Sequence, residues 1–301
     1  MLIPKKVAVI GFGEAGSVVA EGCVVGARKL QTPMECHVWD IRMQDPVHKA
    51  ALQKTADGIG VVPHETPGEW LGEMDVVFSL VFGTVAKEVS LELLPFLREG
   101  AQYIDLTTSL PNDMIAANEA FAARKVGFID GTSLGSFRSN GVRAPFVLSG
   151  SNVEAWSSWM NSLGFNTTPV PGNPGNASTV KLLRSVVAKG LEALAVECFV
   201  TAEQFGLRQS MMNAFNDFNL RPFTAALEDM GSSHIPHCKR RLDEIDNVLT
   251  MLDVAGVEAT MTRASRNFFD RTHASGAKVE AHGGATWEAS MSALQGILRK
   301  S

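Results

Sequence analysis

The sequence predicts an α/β protein in two parts: a doubly wound, mainly parallel sheet, followed by an all-α domain. Three observations carry this. From residue 5 to about 170, short β-rich runs alternate with helical patterns, as in βαβ units around a parallel sheet. A glycine-rich turn joins the first of these runs to the first helix. Past the stretch TTPVPGNPGN at 167–176, where prolines and glycines end the alternation, no further strand pattern appears.

Taken in order, strands are expected at 7–10, 36–40, 60–62, 75–81, 102–106 and 126–129. Several are continuously apolar, as strands covered on both faces should be. Two more are placed at 144–149 and 165–170. Helices are expected at 87–98 and 112–125, the latter opened by Pro111 at a first-turn position. The domain boundary is set at the proline-rich turn, which gives a dinucleotide-binding domain over 1–170 and a helical domain over 171–301. In the helical domain, 176–205, 211–230, 238–255 and 257–269 read as helices.

Composition narrows the function classes. The 301 residues are 45% hydrophobic and 20% charged, which suits a soluble globular chain of about two domains. Twenty-seven basic against 32 acidic side chains leave a net charge of -5, so neither nucleic acid nor membrane is expected as a partner. The segment 179–200 is the most apolar long stretch, yet it holds Lys181, Arg184, Lys189, Glu192 and Glu197, too many charges for a bilayer span. Cys23, Cys36, Cys198 and Cys238 are too scattered for a zinc pattern and suit reduced thiols, so no metal and a cytoplasmic setting are expected. The N-terminal MLIPKKVAVIG reads as a first strand and not an export signal.

Residues 11–16, GFGEAG, stand between an apolar strand and a helical run, the setting that the Rossmann dinucleotide fingerprint requires. Gly11 allows the tight turn, Gly13 lets backbone approach a pyrophosphate, and Gly16 brings helix and strand together, with Phe12, Glu14 and Ala15 completing the turn. Asp40, at the end of the next strand, is placed to accept from ribose hydroxyls and to repel a 2'-phosphate, which favours NAD. Arg42, two residues on, offsets that repulsion and admits NADP. The cofactor is therefore read as NAD or NADP.

The order of the remaining motifs resembles the β-hydroxyacid dehydrogenase superfamily, which includes 6-phosphogluconate dehydrogenase and 3-hydroxyisobutyrate dehydrogenase. VVFSLVFGTVAKEV at 76–89 is similar to the family's strand and loop over the cofactor, which brings in Val81 and Phe82. IDLTTSLPN at 104–112 resembles its segment beside the nicotinamide, with Thr108 and Ser109. FIDGTSLGSFRSNG at 128–141 occupies the place of its substrate loop, and GNASTVKLLRS at 175–185 resembles the segment that opens its long interdomain helix. The chain departs from the pattern at Ser185, where the family has asparagine, and at Thr132–Ser136, where it has Ser-Gly-Gly. This marks a divergent branch.

What the resemblance implies is a hydride-transferring enzyme acting on a small hydroxy acid, with Lys181 as general acid/base and Ser133 and Ser185 orienting the substrate. Lys181, Arg184, Ser185, Lys189 and Glu192 also form a polar stripe on an apolar helix, facing water or a cleft. Arg138 and Arg143, flanking Asn140 and Gly141, offer planar forks for an acid group, so a small anionic substrate is expected. His237 and Arg240, in HIPHCKRRLDE, are read either as an exposed basic helix start or as part of a cleft wall, and Pro236 argues against one continuous helix there. His273 and His282 receive no role. A homodimer or tetramer is expected, since related enzymes assemble so. The competing readings are an imine reductase, which shares the architecture, and a non-catalytic dinucleotide-binding protein.

Overall fold

The structure is a computed structural model that describes residues 3–279 and 286–299; His282 lies outside the described residues. The chain divides into two compact units, Met1–Ser185 and Val186–Ser301.

The first unit is built on eight strands: β1 (Lys6–Ile10), β2 (Glu35–Trp39), β3 (Val62–His64), β4 (Val76–Ser79), β5 (Gln102–Asp105), β6 (Gly127–Ser133), β7 (Pro145–Gly150) and β8 (Asn166–Pro169). Their order across the sheet is β3-β2-β1-β4-β5-β6-β7-β8. All neighbours are parallel except β6 and β7, whose antiparallel pairing turns β7 and β8 against the rest. The chain leaves β1 toward β2 and β3, then returns to the other side as β4, so β1 and β4 flank a topological switch point, where sheets of this kind bind ligands at the strands' carboxyl ends.

Alternation along β1 serves both faces. Val7 and Val9 enter one core layer with Val38, Phe78, Phe146 and Trp159, while Ala8 and Ile10 enter the other with Val77, Tyr103, Phe121 and Phe128. That two-sided burial is why these strands read as unbroken apolar runs. The covering helices are α1 (Glu14–Lys29), α2 (Pro46–Ile59), α3 (Ala86–Leu93), α4 (Pro111–Ala123), α5 (Phe137–Asn140) and α6 (Val153–Ser162). In α1 the buried positions Gly16, Val19, Ala20, Cys23 and Ala27 repeat at helical spacing.

Next comes α7 (Asn176–Gln204), and the division between the units falls inside it, at 185/186, and not at the proline-rich turn where the boundary was set. The reason is local: the first turn of α7 is hydrogen-bonded to the sheet through Asp130 and Ser149. The second unit continues with α8 (Arg208–Ala214), α9 (Phe223–Ala255), α10 (Thr260–Ala274) and α11 (Trp287–Leu298), with no strand among the described residues.

Two expectations are corrected here, and one helix is added. The helix expected over 211–230 is interrupted, because a 3-10 segment at Phe215–Leu220 leads into Pro222, which has no N–H to continue a helix and instead precedes α9. Conversely, Pro236 does not break α9. The Ser232 carbonyl, deprived of its donor four residues on, accepts from the Ser290 hydroxyl of α11 at 2.9 Å. Finally, α11 itself was not foreseen; Thr286 caps it, its hydroxyl oxygen accepting the Ala289 N–H.

Candidate active site

The expected site residues up to Ser185 all belong to the first unit, at the carboxyl edge of its sheet. Gly11 has a positive φ of +86°, and a β-carbon there would stand 2.7 Å from the Leu80 carbonyl oxygen, so only glycine lets the turn pass under the loop after β4. At Gly16 a β-carbon would lie 1.9 Å from the Gly11 carbonyl oxygen; the helix therefore starts directly against the turn. Gly13 differs. The nearest atom to a β-carbon there is Arg42 Nη2 at 3.5 Å, so the fold itself does not demand glycine. What that open side permits is the approach of a ligand.

No side chain caps α1 at Gly13, leaving first-turn N–H groups and the positive end of the helix for a pyrophosphate. The residues present thus fit a dinucleotide. Phe12 is buried in the core below the turn, Ala15 is half-buried, and Glu14 is exposed, its Oε1 lying 3.4 Å from Arg138 Nε.

Asp40 caps the 3-10 turn after β2 by accepting the Arg42 N–H at 2.9 Å, and it holds the Arg42 fork with Nε and Nη2 each 2.8 Å from one carboxylate oxygen. Burial pushes the Asp40 carboxyl up, but the Arg42 side chain and amide outweigh it, so the group lies below its ordinary range. Asp40 and Arg42, for which the sequence suggests opposite cofactor preferences, are thus one bidentate pair.

The loop after β4 carries Val81, partly buried against the second core layer, and Phe82, 85% exposed. It meets the loop after β5 closely: a β-carbon on Gly83 would lie 1.9 Å from the Thr108 carbonyl oxygen. A chain of hydrogen bonds fixes this junction. The Asp105 carboxylate accepts the Thr107 N–H at 2.9 Å and its hydroxyl at 2.5 Å, the Thr107 and Ser109 hydroxyls are 2.7 Å apart, and Ser109 donates to the Gly83 carbonyl at 3.1 Å. Thr108 Oγ1 lies 3.3 Å from Thr132 Oγ1 on β6. Asp105 is fully enclosed, and burial, reinforced by the neighbouring Asp130 charge and offset in part by Thr107, pushes its carboxyl up to about 6.

The strand β6 then places the lysine. Asp130 is completely buried, and its carboxylate accepts the backbone N–H groups of Gly175 and Ser178 at 2.8 and 2.9 Å and the Ser178 hydroxyl at 2.6 Å. This acid therefore closes the N-terminal turn of α7 in place of a local cap. Ser149, its register partner on β7, adds a bond to the Ala177 N–H at 2.9 Å. One turn further along α7, Lys181 Nζ donates to the Ser133 carbonyl at 2.5 Å, at the end of that same strand. Burial, followed by the Arg184 charge, lowers the Lys181 pKa from its ordinary value.

The flanking hydroxyls are partly committed. Ser133 donates to the Gly135 carbonyl at 2.8 Å and accepts the Gly135 N–H at 3.2 Å. Ser185 donates to the Lys181 carbonyl at 3.0 Å, so while that bond holds its oxygen is left as an acceptor. Arg143 is exposed, and its carbonyl receives Asn166. His237 and Arg240 lie on exposed positions of α9 in the second unit, where Arg240 pairs with Glu244 at 2.5 Å. Sequence reasoning missed Asp105 and Asp130 as site-forming groups. The available signal was an acid directly following an apolar pair in each of two strands, Tyr103-Ile104 and Phe128-Ile129, since a buried carboxylate must be answered by donors.

Comparison with known proteins agrees with this geometry. The model of the NAD binding domain of 6-phosphogluconate dehydrogenase matches residues 6–161. A conserved hypothetical protein from Sinorhizobium meliloti 1021 is 27% identical with a TM-score of 0.61, and 99% of this chain and 97% of that one are covered. A conserved protein of unknown function, described as structurally similar to 3-hydroxyacid dehydrogenases, is 25% identical with a TM-score of 0.59, over 90% of this chain and 98% of that one. An imine reductase variant from Myxococcus stipitatus, solved with NAD+, shares the fold at a TM-score of 0.75 and 17% identity, over 97% and 99% of the two chains. The family match spans the glycine turn, Asp40 and the junction of the loops after β4 and β5, and the chain belongs to the family of the NAD binding domain of 6-phosphogluconate dehydrogenase.

Proposed function

We propose that the chain is an NAD(P)-dependent oxidoreductase acting on a small hydroxy acid, with Lys181 as the general acid/base. The observation that carries this is the lysine's setting: Nζ held on the Ser133 carbonyl at the carboxyl edge of the sheet that bears the dinucleotide turn. When bound, a nicotinamide dinucleotide supplies the hydride acceptor. As a neutral amine, Lys181 keeps one N–H on Ser133 and turns its lone pair to the substrate hydroxyl. It takes that proton as the carbinol carbon releases hydride, leaving a carbonyl and a lysine ammonium; the reverse direction returns the proton to the alkoxide. The lowered pKa of Lys181 supports this, because a base must be uncharged near working pH. Ser185, whose proton rests on the Lys181 carbonyl, turns it to the substrate oxygen to orient the alcohol while Lys181 takes the hydroxyl proton, and the junction at Thr108 and Ser109 borders the same edge.

The test is Lys181→Met assayed over a panel of hydroxy acids by nicotinamide absorbance, with cofactor affinity measured alongside. A fall in turnover of about 10²–10⁴-fold at unchanged cofactor affinity is expected; near-normal turnover removes the proposal. A cyclic imine belongs in the same panel: its turnover, with none of the acids, replaces CH–OH by C=N as the reacting bond.

The reading includes a second copy of the chain. Leu183, Val186 and Val196 on α7 are 63%, 70% and 60% exposed, an apolar surface that association would cover. Light scattering of the wild type and of Val186→Glu is expected to show an oligomer and its dissociation; a wild-type monomer overturns this part.

A further inference from the structure

Lys181 shares its helical turn with a second cation. Arg184 follows at i+3, so both side chains leave α7 on one face with β-carbons about 5–6 Å apart. The two are like charges, an arrangement that weakens an isolated helix slightly. Arg42 is answered by Asp40, Arg138 by Glu14 and Lys189 by Glu192, whereas Arg143, like Arg184, has no ion-pair partner among the described residues but does not share the lysine's helical turn. Arg184 is exposed and has no ion-pair or hydrogen-bonding partner for its side chain among the described residues. Its charge nonetheless reaches Lys181, where it adds to burial in disfavouring the ammonium. We infer that Arg184 is the anchor for the substrate's acid group, a carboxylate or a phosphate, seated beside the Lys181 amine.

Chemistry supports the assignment at both ends. A guanidinium fork meets two acid oxygens at once, which fixes the direction in which the rest of the molecule points. From one turn away it aims a hydroxyl two or three carbons from the acid at Nζ, which selects short 2- or 3-hydroxy acids over longer ones. Binding the anion also reverses the local balance of charge: in the free site burial and Arg184 disfavour the Lys181 ammonium, and the docked acid raises its proton affinity as the hydroxyl proton arrives. Substrate binding and base strength are thereby linked through one side chain.

This inference rests on Lys181 being the acid/base, so its test reads Lys181 directly and independently of turnover. The full-length protein is labelled with lysine carrying 13C at the ε position, the Lys181 signal is assigned with Lys181→Arg, and its titration is followed in the wild type, Arg184→Gln and Arg184→Lys. Lys181 is expected to titrate at higher pH in Arg184→Gln and near the wild-type value in Arg184→Lys. Adding 3-hydroxypropionate or glycerol 2-phosphate is expected to shift the wild-type signal and to leave Arg184→Gln unmoved; the acid that acts identifies carboxylate or phosphate as the group. With an acid that is turned over, KM is expected to rise at least about tenfold in Arg184→Gln with a smaller change in kcat. Equal titration in the wild type and Arg184→Gln, or no response of the wild type to either acid, overturns the assignment. Retained turnover in Lys181→Met instead removes the acid/base role and leaves the acid titration readable.

Discussion

Asp130 and Ser178 are joined twice, by the Ser178 N–H at 2.9 Å and the Ser178 hydroxyl at 2.6 Å, across 48 residues of chain. Because Ser178 lies one turn before Lys181, and Asp130 shares a strand with Ser133, a single strand sets both where the helix begins and where its lysine lands.

Replacing Asp130 by asparagine leaves one acceptor where two carboxylate oxygens served four donors. The start of α7 shifts, and the lysine with it. Asp130→Asn is expected to lower kcat by about 10²-fold, the scale of a misplacement near 1 Å, with cofactor affinity preserved. Unchanged kcat in a folded variant would show that the bond is structural only.

The glycines of the turn separate into two kinds. Gly16→Ala places a methyl group 1.9 Å from the Gly11 carbonyl and is expected to destabilise the domain by several kcal/mol, seen in thermal unfolding. Gly13→Ala meets nothing nearer than 3.5 Å, so melting is expected to stay nearly constant while dinucleotide affinity falls at least about tenfold. If both variants melt alike and bind alike, the open side of Gly13 is not the phosphate seat.

Cofactor choice turns on the pair of Asp40 and Arg42. Asp40→Ala is expected to weaken NAD more than NADP, and Arg42→Ala to weaken NADP more than NAD, in fluorescence titrations with both dinucleotides. Equal losses in both variants would assign the pair to holding the turn after β2.

Asp105 makes the fold sensitive to pH. Its carboxyl ionises near 3.8 in the unfolded chain and at about 6 when folded, so its contribution is fully present below pH 3.8 and is lost as pH rises through about 6. The span corresponds to about 3 kcal/mol. Asp105→Asn removes that slope and is expected to gain stability relative to wild type by urea unfolding as pH rises from about 4 to 7; parallel curves would contradict it.

A second pH effect has the opposite sign. His37 Nδ1 and His64 Nε2 lie 2.8 Å apart, with His64 stacked on Trp70 at 3.8 Å and His37 Nε2 3.1 Å from Glu35. Burial lowers both imidazole pKa values, with Glu35 opposing this at His37. Unfolded histidine takes up its proton first, so stability is expected to fall as pH drops through about 6.5. His64→Gln should flatten that fall; the same slope in the variant places its origin elsewhere.

How much of this was legible in the sequence depends on the range of the causes. The first strand, its turn and α1 follow from neighbouring residues, and Gly11 and Gly16 announce their own backbone constraints. Asp130 does not, because its meaning lies in Gly175 and Ser178, which the fold brings to it. The same holds for Asp105, whose shift comes from enclosure by adjacent strands. Pro236 misled for a related reason: a proline's local rule is that a helix ends, and the remedy for the lost bond sits on α11, in a stretch whose glycines hid the helix.

That remedy also orders events during synthesis. Until residues from Trp287 onward leave the ribosome, the Ser232 carbonyl has only solvent to satisfy it, and the longest rod of the molecule is free to hinge at its proline. The later helix thus acts as a splint across the proline, and a nascent chain stalled shortly before Trp287 lacks it.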